Sequence, residues 1–575
     1  MMTMKMFKKS VALTLGLVMA GGVATFAQSL ADAKKAIDAE QYQKASSMLK
    51  TLISSQPKVA ENYFTLGNVY LTLDEVDSAK AVFTSGAAAD PKNALNLIGL
   101  GRVDLFNKNT AGAQANFDKA IALSKKNYQT FMYLGKAYFE NPNPNYEAAL
   151  PHLKMADELE TKDRDVEVFI ALGDYWSDQL KNGPAYEMYL RALDIDPKLA
   201  RVKVQIAKMF KQADGFIEAE DKIKEVLASD PNYGPAYREL AEIQMRWSFR
   251  DPSATTKKAE ALSNMRKYLD LTDKSFDSRY RYAQFLVYAE DFETLASELQ
   301  TLQAEPGNPK GFVINRLKGY TAVENNEFEK GLANLTELIK NPADESRLLG
   351  SDYLYLGKAY RGTGNDDLAI KYMVKGIQMD STKVEELAQY GQKLFADKKY
   401  AKATEALKNV IALNSTNPAM AMNAYYLGLA NYWNYATLYN EKAEPSTELL
   451  KDADSAFAQV LTLVPDYEAA AWYRVRVYKL LDNPQAPEGL AVPHYENYIT
   501  LVTVTKPEKA SEAPVIRNLI DAYNNLAAYY SATDKDKAIE YLNKTLALDP
   551  QNAYATETLK VLNAMKAQGS KAPIK

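Results

Sequence analysis

The sequence has no cysteine and only two histidines, so several kinds of chemistry have few or no side chains to use. Without cysteine, disulfide bonds, thiolate catalysis and cysteine-ligated metal sites are excluded. His152 and His494 are the two histidines, and they leave little for histidine-based catalysis or metal binding. We therefore expect the protein to use no metal and no other cofactor.

Motifs of catalytic and nucleotide-binding sites are also missing from the sequence. It contains no phosphate-binding glycine loop, HExxH, GxSxG or EF-hand pattern. The glycines of residues 362–365 (GTGN) fall between two predicted helices, where they are typical of a tight turn. Carboxylates are spread along polar helix faces, and no pair is set apart in apolar surroundings as acid–base catalysis would require. We expect a protein that is not an enzyme.

An excess of basic charge is absent as well. The chain of 575 residues has 69 lysines and arginines against 73 acidic residues, a formal net charge of -4. This balance argues against nucleic acid as the main partner, because phosphate neutralisation requires a basic surface. The hydrophobic fraction of 47% is typical of a folded protein. A chain of this length exceeds one hydrophobic core, which indicates several domains or a repeat array.

Long apolar runs are absent except near the N-terminus. Lys8 and Lys9 precede an apolar run over residues 11–20, and small residues follow as far as Ala27. This pattern predicts a signal peptide over residues 1–27 that is cleaved after Ala27. No other stretch approaches the ~20 apolar residues of a membrane span, so no integral membrane segment is expected after cleavage. We expect a periplasmic or secreted bacterial protein.

Small residues recur at intervals of 34 along much of the chain, which is the signature of an internal repeat. Gly67, Gly101 and Gly135 are spaced by 34 residues, and Gly357 and Gly391 keep the same interval. The glycines that we assign to the small position of a repeat are Gly67, Gly101, Gly135, Gly173, Gly357 and Gly391.

Residues 60–93 show how one repeat folds. Tyr63, Leu66 and Tyr70 share one face of a predicted helix, because they are three and four residues apart. Ala79 and Phe83 mark the apolar face of a second helix, which ends where Pro91 follows Asp90. Neither helix of such an antiparallel pair can bury its apolar face alone, so successive pairs must stack.

These residues resemble the tetratricopeptide-repeat pattern W-x2-L-G-x2-Y…A-x3-F…P. The matching residues are Tyr63, Leu66, Gly67, Tyr70, Ala79, Phe83 and Pro91. Residues 166–199 and 350–383 resemble the pattern in the same way, and we count about fourteen units between residues 28 and 552. The resemblance implies an all-α fold, a right-handed superhelical solenoid of stacked antiparallel helix pairs.

The repeat spacing also predicts the domain boundaries. The main array spans residues 28–502, and its turns are lengthened by insertions near 141–145, 245–258, 434–450 and 481–492. A linker over residues 503–514 separates this array from a terminal repeat and capping helix over residues 515–566. Residues 567–575 are expected to form a disordered tail.

Aromatic residues crowd into residues 425–439 more densely than elsewhere. If Gly428 is the small position of its repeat, the family's groove-facing positions are Met422, Tyr425, Tyr426, Leu429, Tyr432 and Trp433. An aromatic groove of this kind could hold a peptide or a sugar ring. The alternative is that these aromatic side chains cover the long insertion after residue 434.

The resemblance implies a non-catalytic scaffold or adaptor that binds proteins or peptides of the cell envelope in its concave groove. Enzymes of this family usually carry a separate catalytic domain, and too few residues lie outside the repeats to form one. The second hypothesis is an envelope protein that binds a glycan or a small ligand through the aromatic groove near residues 422–433.

Overall fold

The computed structural model describes residues 29–569 except 125, 163, 303–309, 341–344, 346, 414–418 and 484–486. The described residues form 29 α-helices with short 3-10 and π-helical turns, and they contain no β-strand. The predicted all-α fold is therefore confirmed. The predicted signal peptide and residues 570–575 lie outside the described residues.

The chain forms two compact units, one within residues 1–308 and the other within residues 309–575. In the first unit, each odd-numbered helix packs against the next even-numbered helix, which gives eight pairs. The sixteen helices are α1 (Leu30–Asp38), α2 (Tyr42–Ser55), α3 (Ala60–Thr72), α4 (Val76–Ala89), α5 (Leu95–Phe106), α6 (Thr110–Leu123), α7 (Tyr128–Phe139), α8 (Tyr146–Leu159), α9 (Val166–Asp178), α10 (Asn182–Ile195), α11 (Ala200–Gln212), α12 (Phe216–Ser229), α13 (Gly234–Arg250), α14 (Lys257–Leu271), α15 (Phe276–Tyr288) and α16 (Phe292–Thr301).

The second unit contains six further pairs and a last helix that packs on the sixth pair. Its helices are α17 (Gly311–Glu324), α18 (Phe328–Ile339), α19 (Gly350–Gly362), α20 (Asp366–Met379), α21 (Val384–Ala396), α22 (Tyr400–Leu413), α23 (Met420–Asn440), α24 (Glu448–Leu463), α25 (Glu468–Leu481), α26 (Val492–Thr500), α27 (Ala513–Thr533), α28 (Lys535–Leu548) and α29 (Ala553–Gly569). Fourteen pairs agree with the predicted number of repeats.

A glycine on the first helix of a pair lets a large side chain of the second helix pack against its backbone. A Cβ on Gly67 would collide with the ring of Phe83, and one on Gly391 would lie 2.8 Å from Cγ of Leu407. Sixteen residues separate the two positions in each case. The same contact joins Gly101 to Phe117, Gly173 to Tyr189 and Gly357 to Met373, while Gly135 meets Leu153 eighteen residues later.

Connections between pairs repeat one turn in which an aspartate precedes a proline. The carboxylate of Asp90 accepts a hydrogen bond from the backbone N–H of Lys92 at 3.2 Å. Asp196 and Asp230 accept the equivalent bond from the residue two positions later. The aspartate therefore caps the turn locally, and the proline prevents the preceding helix from continuing.

The predicted insertions take different forms in the structure. The first helix of the pair is lengthened in two cases, because α13 continues to Arg250 and α23 continues to Asn440. Residues 482–491 form the connection between α25 and α26. Within the predicted linker, a π-helical turn ends at Thr505 and a 3-10 turn covers Pro507–Ser511, after which α27 begins. The last helix, α29, extends to Gly569, three residues into the predicted tail.

We expect Gly67→Ala to destabilise the second helix pair, because the added methyl group must displace the buried ring of Phe83. Overpacking of this kind costs ~1–3 kcal/mol. Hydrogen exchange should accelerate in α3, α4 and the neighbouring pairs, and remain unchanged in α27 and α28, since each repeat contacts mainly its neighbours.

Gly183→Ala provides the control, because a Cβ at this helical position meets no atom within 4 Å. Alanine there should be neutral or stabilise the protein by up to ~1 kcal/mol. Equal destabilisation by the two substitutions would contradict the packing role assigned to Gly67.

Candidate functional site

The first helices of successive pairs in unit 1 share a face that is rich in charged residues. Arg102 of α5 donates a hydrogen bond to Asn68 of α3 at 3.0 Å, from a position 34 residues later. Arg201 of α11 is paired with Glu167 of α9 at the same interval. Equivalent positions of adjacent repeats therefore contact one another, and we call this surface the inner face.

Ion pairs extend along the inner face. Glu140, the residue that follows α7, pairs with Lys136 at 3.0 Å and with Arg102 at 3.1 Å. Asp174 of α9 accepts a hydrogen bond from the Tyr189 hydroxyl at 2.7 Å. Burial raises the pKa of Asp174 despite the nearby charge of Lys136. The local environment is therefore more shielded from water than that of an ordinary helix surface.

The first hairpin, α1–α2, packs across the inner face of unit 1 against helices more than 150 residues away. Asp38 lies 3.7 Å from Arg201 of α11. Gln41 donates to the carbonyl of Leu271 at 3.0 Å, and the N–H of Gln43 donates to Asp273 at 2.7 Å. The helix pairs of unit 1 thus close back on their own first pair.

Glu40 is the centre of this closing contact. It occupies the α1–α2 turn with a φ of 57° and accepts hydrogen bonds from Arg238 at 3.0 Å and Tyr268 at 2.7 Å. Burial opposes ionisation of Glu40, but the charges of Arg238 and Arg281 and the Tyr268 hydrogen bond outweigh it. The pKa of Glu40 is therefore lowered, and the carboxylate is ionised at neutral pH.

The six predicted groove residues all lie on α23 but differ in exposure. Leu429 and Tyr432 are buried, with 7% and 6% of their surfaces exposed, whereas Met422 is 43% exposed. Tyr425, Tyr426 and Trp433 are half-buried. Gly428 is indeed covered, since a Cβ there would lie 2.6 Å from the ring of Phe457 on α24.

Ring contacts explain why several of these aromatic residues are buried. The Tyr425 ring has neighbours at 5.9 Å in Phe457 and 5.1 Å in Tyr467. The Tyr432 ring packs against Tyr473 of α25 at 5.4 Å. These rings form part of the core between α23, α24 and α25. Met422 is the most exposed of the six residues, and Trp433 stays half-buried at the edge of that core.

Arg476 of α25 completes the accessible surface, although the sequence analysis did not select it. Its guanidinium lies 5.0 Å from the ring centre of Tyr432, 5.7 Å from that of Trp433 and 5.1 Å from that of Tyr473. Cation–π contacts of this kind hold the guanidinium at the edge of the aromatic core. The inserted residues after α23 displace the 34-residue period, so the repeat spacing did not indicate Arg476. We call Met422, Trp433 and Arg476 the aromatic surface.

The described residues contain no group of three or more histidine, aspartate or glutamate side chains positioned to hold a metal ion. No helix among them is long and apolar enough to cross a membrane.

Comparison with protein families identifies the repeat. Residues 60–93 and 353–383 match the family model of the tetratricopeptide repeat, one segment in each unit. These two segments are similar to the tetratricopeptide repeat. Proteins with this repeat generally mediate protein–protein interactions and are typically non-catalytic. No catalytic family is identified. No curated protein matches the chain significantly.

Solved structures with similar helical folds include several tetratricopeptide-repeat proteins. The C-terminal part of a repeat protein from Cytophaga hutchinsonii is 25% identical, with 49% of this chain and 99% of that chain covered and a TM-score of 0.30. PilF from Pseudomonas aeruginosa is 18% identical, with 40% and 96% covered and a TM-score of 0.28. The Cut9–Hcn1 assembly is 14% identical, with 92% and 95% covered and a TM-score of 0.33. All three scores are low, so these likenesses carry no argument about function.

The closing contact at Glu40 predicts a pH dependence of stability. Because the folded pKa lies below the ordinary value of 4.5, the stabilisation is present above pH 4.5 and is lost as the pH falls through the folded pKa. Glu40→Gln should reduce hydrogen-exchange protection of α1 and α2 at pH 7, and its difference from the native protein should vanish in acid.

Glu290→Gln is the matched control for this measurement. Glu290 occupies the corresponding turn position between α15 and α16, with a φ of 56°, and its side chain is exposed. Its substitution should leave protection of α1 and α2 unchanged at every pH. A loss of protection equal to that of Glu40→Gln would show that the effect is not specific to the closing contact.

Proposed function

We propose that this protein is a non-catalytic scaffold or adaptor of the bacterial cell envelope that holds a protein or peptide partner on its helix-pair array. The observation that carries the proposal is the aromatic surface of unit 2. There, Met422 is 43% exposed, and the half-buried Trp433, with Arg476 against its ring, lies about three turns further along α23. Tryptophan, tyrosine and arginine are enriched among the residues that dominate protein–protein binding energies.

The core beneath the aromatic surface favours binding, because it holds the contact residues in place before a partner arrives. The Trp433 ring packs edge-on against Tyr432 at 5.5 Å, and Arg476 is held by three rings. Side chains that are already ordered lose less conformational entropy on association. Met422 and Trp433 lie ~16 Å apart along α23, so a peptide that presents one apolar anchor to each would gain most from this surface.

The envelope location rests on the N-terminal sequence. Lys8 and Lys9 followed by an apolar run and small residues are typical of an export signal. We expect the mature protein to begin at Gln28 and to be recovered in the periplasmic or secreted fraction. Intact-mass measurement of the native protein tests this, and a mass that retains residues 1–27 would rule out cleavage after Ala27.

The binding proposal is tested by partner capture at the aromatic surface. A photo-crosslinking side chain at position 422 of the full chain first identifies the partner by mass spectrometry, and the purified partner is then titrated. Met422→Ala combined with Trp433→Ala should weaken binding at least tenfold, because loss of an interface anchor commonly costs ~2 kcal/mol or more. Each decade of affinity corresponds to ~1.4 kcal/mol.

The control combines Met379→Ala with Tyr439→Ala, since both side chains are more than half exposed and lie in the same unit. This variant should bind normally. Thermal melting of both double variants separates binding from stability. A lower melting temperature with unchanged affinity for the Met422 and Trp433 variant would show that these residues only pack against the core.

A further inference from the structure

A cavity of about 450 Å³ lies in unit 1 beside α11, α13 and α15. Arg238, Glu242 and Arg246 follow one another at four-residue intervals on α13, so they share one face of that helix. Arg281 and Tyr288, seven residues apart on α15, line the same cavity. Side chains from one face of α13 and one face of α15 thus line the same cavity.

The charges that line this cavity are predominantly basic. Lys211, Arg238, Arg246 and Arg281 line it together with one acid, Glu242. Glu242 accepts from Lys211 at 2.6 Å and from Arg238 at 3.2 Å. Glu242 therefore serves two of the four cations, and Lys211 pairs in addition with Glu239 at 2.7 Å.

Arg246 has its own counter-ion outside the cavity, in Asp214 at 2.8 Å. Arg281 differs from the other three cations. Among the residues that the structure describes, its guanidinium has no hydrogen-bond or ion-pair partner, although its charge acts on Glu40 and Tyr268. A half-buried guanidinium carries five N–H donors, so Arg281 offers a cationic donor set to the cavity.

Arg238 lines the same cavity, but its hydrogen-bonding groups are engaged or shielded. Its two terminal nitrogens bind Glu40 and Glu242, and its Nε is buried with no partner in the described part of the chain. Because that Nε is shielded from solvent, Arg238 adds positive charge to the cavity, and Arg281 offers the hydrogen-bond donors.

The contact between Glu40 and Arg238 indicates that a carboxylate is a suitable hydrogen-bond acceptor for an arginine in this region. Glu40 already places a carboxylate against Arg238 and the Tyr268 hydroxyl. The planar guanidinium fork matches the geometry of a carboxylate with two parallel hydrogen bonds. Arg281 thus offers on the cavity side the same kind of group that binds Glu40 on the other side.

An aromatic pair lies beside the basic cavity. The extension of α13 carries Phe249, whose ring lies 5.3 Å from the ring of Tyr288. Phe249 is 50% exposed and Tyr288 is 47% exposed. A ligand that binds Arg281 could therefore also place carbon atoms against an exposed apolar surface.

We propose that this cavity is a binding site for a carboxylate-bearing ligand, with Arg281 as the group that holds the carboxylate. The carboxylate has two sources, a free polycarboxylate or the acidic side chains of a peptide. The site lies wholly in unit 1 and does not depend on the aromatic surface of unit 2.

The test is an isothermal titration of the full chain, measured by calorimetry in low-salt, phosphate-free buffer at pH 7.5. The two probes are citrate and the blocked peptide acetyl-Phe-Glu-Glu-amide. Binding of citrate alone identifies a free polycarboxylate, and binding of the peptide identifies acidic side chains. Either result supports the proposal if Arg281→Gln weakens binding at least tenfold. The proposal is overturned if neither probe binds, or if inorganic phosphate binds and neither carboxylate does.

Arg250→Gln is the matched control, because Arg250 lies one turn beyond Arg246 with a side chain that is 62% exposed. It should bind the probe as the native protein does. If Arg250→Gln and Arg281→Gln weaken binding equally, the effect comes from general surface charge, and the proposed site is wrong.

Arg281→Lys keeps the positive charge but loses the planar fork of the guanidinium. Its affinity for the probe should lie between that of the native protein and that of Arg281→Gln. Melting curves of each variant establish that the fold is retained, and Arg281→Lys decides the question if Arg281→Gln does not fold.

Discussion

The contact between a helix glycine and a large side chain sixteen residues later is the constraint on which each helix pair depends. Gly67 meets Phe83 and Gly173 meets Tyr189, and both large side chains are fully buried. The glycine lets the two helices of a pair approach closely, but this contact covers only part of their apolar surface. The remaining apolar side chains must then be covered by the next pair, so the array continues until α29 packs on the last pair.

The 34-residue spacing predicted the helix pairs because this glycine contact is local and recurs in sequence. It could not predict how an insertion would fold. The insertion after Met245 extends α13, whereas the described residues between α25 and α26 contain no long helix. Both outcomes are compatible with the contact between the glycine and the large side chain. Residues that are added beyond the turns that carry these two positions leave that contact intact. The outcome depends on neighbouring side chains such as Phe249 and Tyr288.

The register of α23 was predictable to the same extent. Gly428 has the expected role, with Phe457 over it, so the register of α23 followed from the sequence. Exposure did not follow, because Tyr432 is buried by Tyr473 of α25, whose position is shifted by the insertion after α23. The contact of Glu40 with Arg238 was also beyond prediction, since 198 residues separate the two and neither interrupts the repeat pattern.

The first hairpin determines which cationic side chains on the inner face of unit 1 are paired with an acid. Asp38 and Glu40 supply acids to Arg201 and Arg238, so these cations are engaged where the hairpin packs. Arg281 lies within range of the Glu40 charge but outside its hydrogen-bonding distance. Ion pairs at partly exposed positions are weak individually, and their strength falls with salt. The chain's own acidic turn thus satisfies one side of a basic cluster, and Arg281 on the other side has no hydrogen-bond partner among the residues that the structure describes.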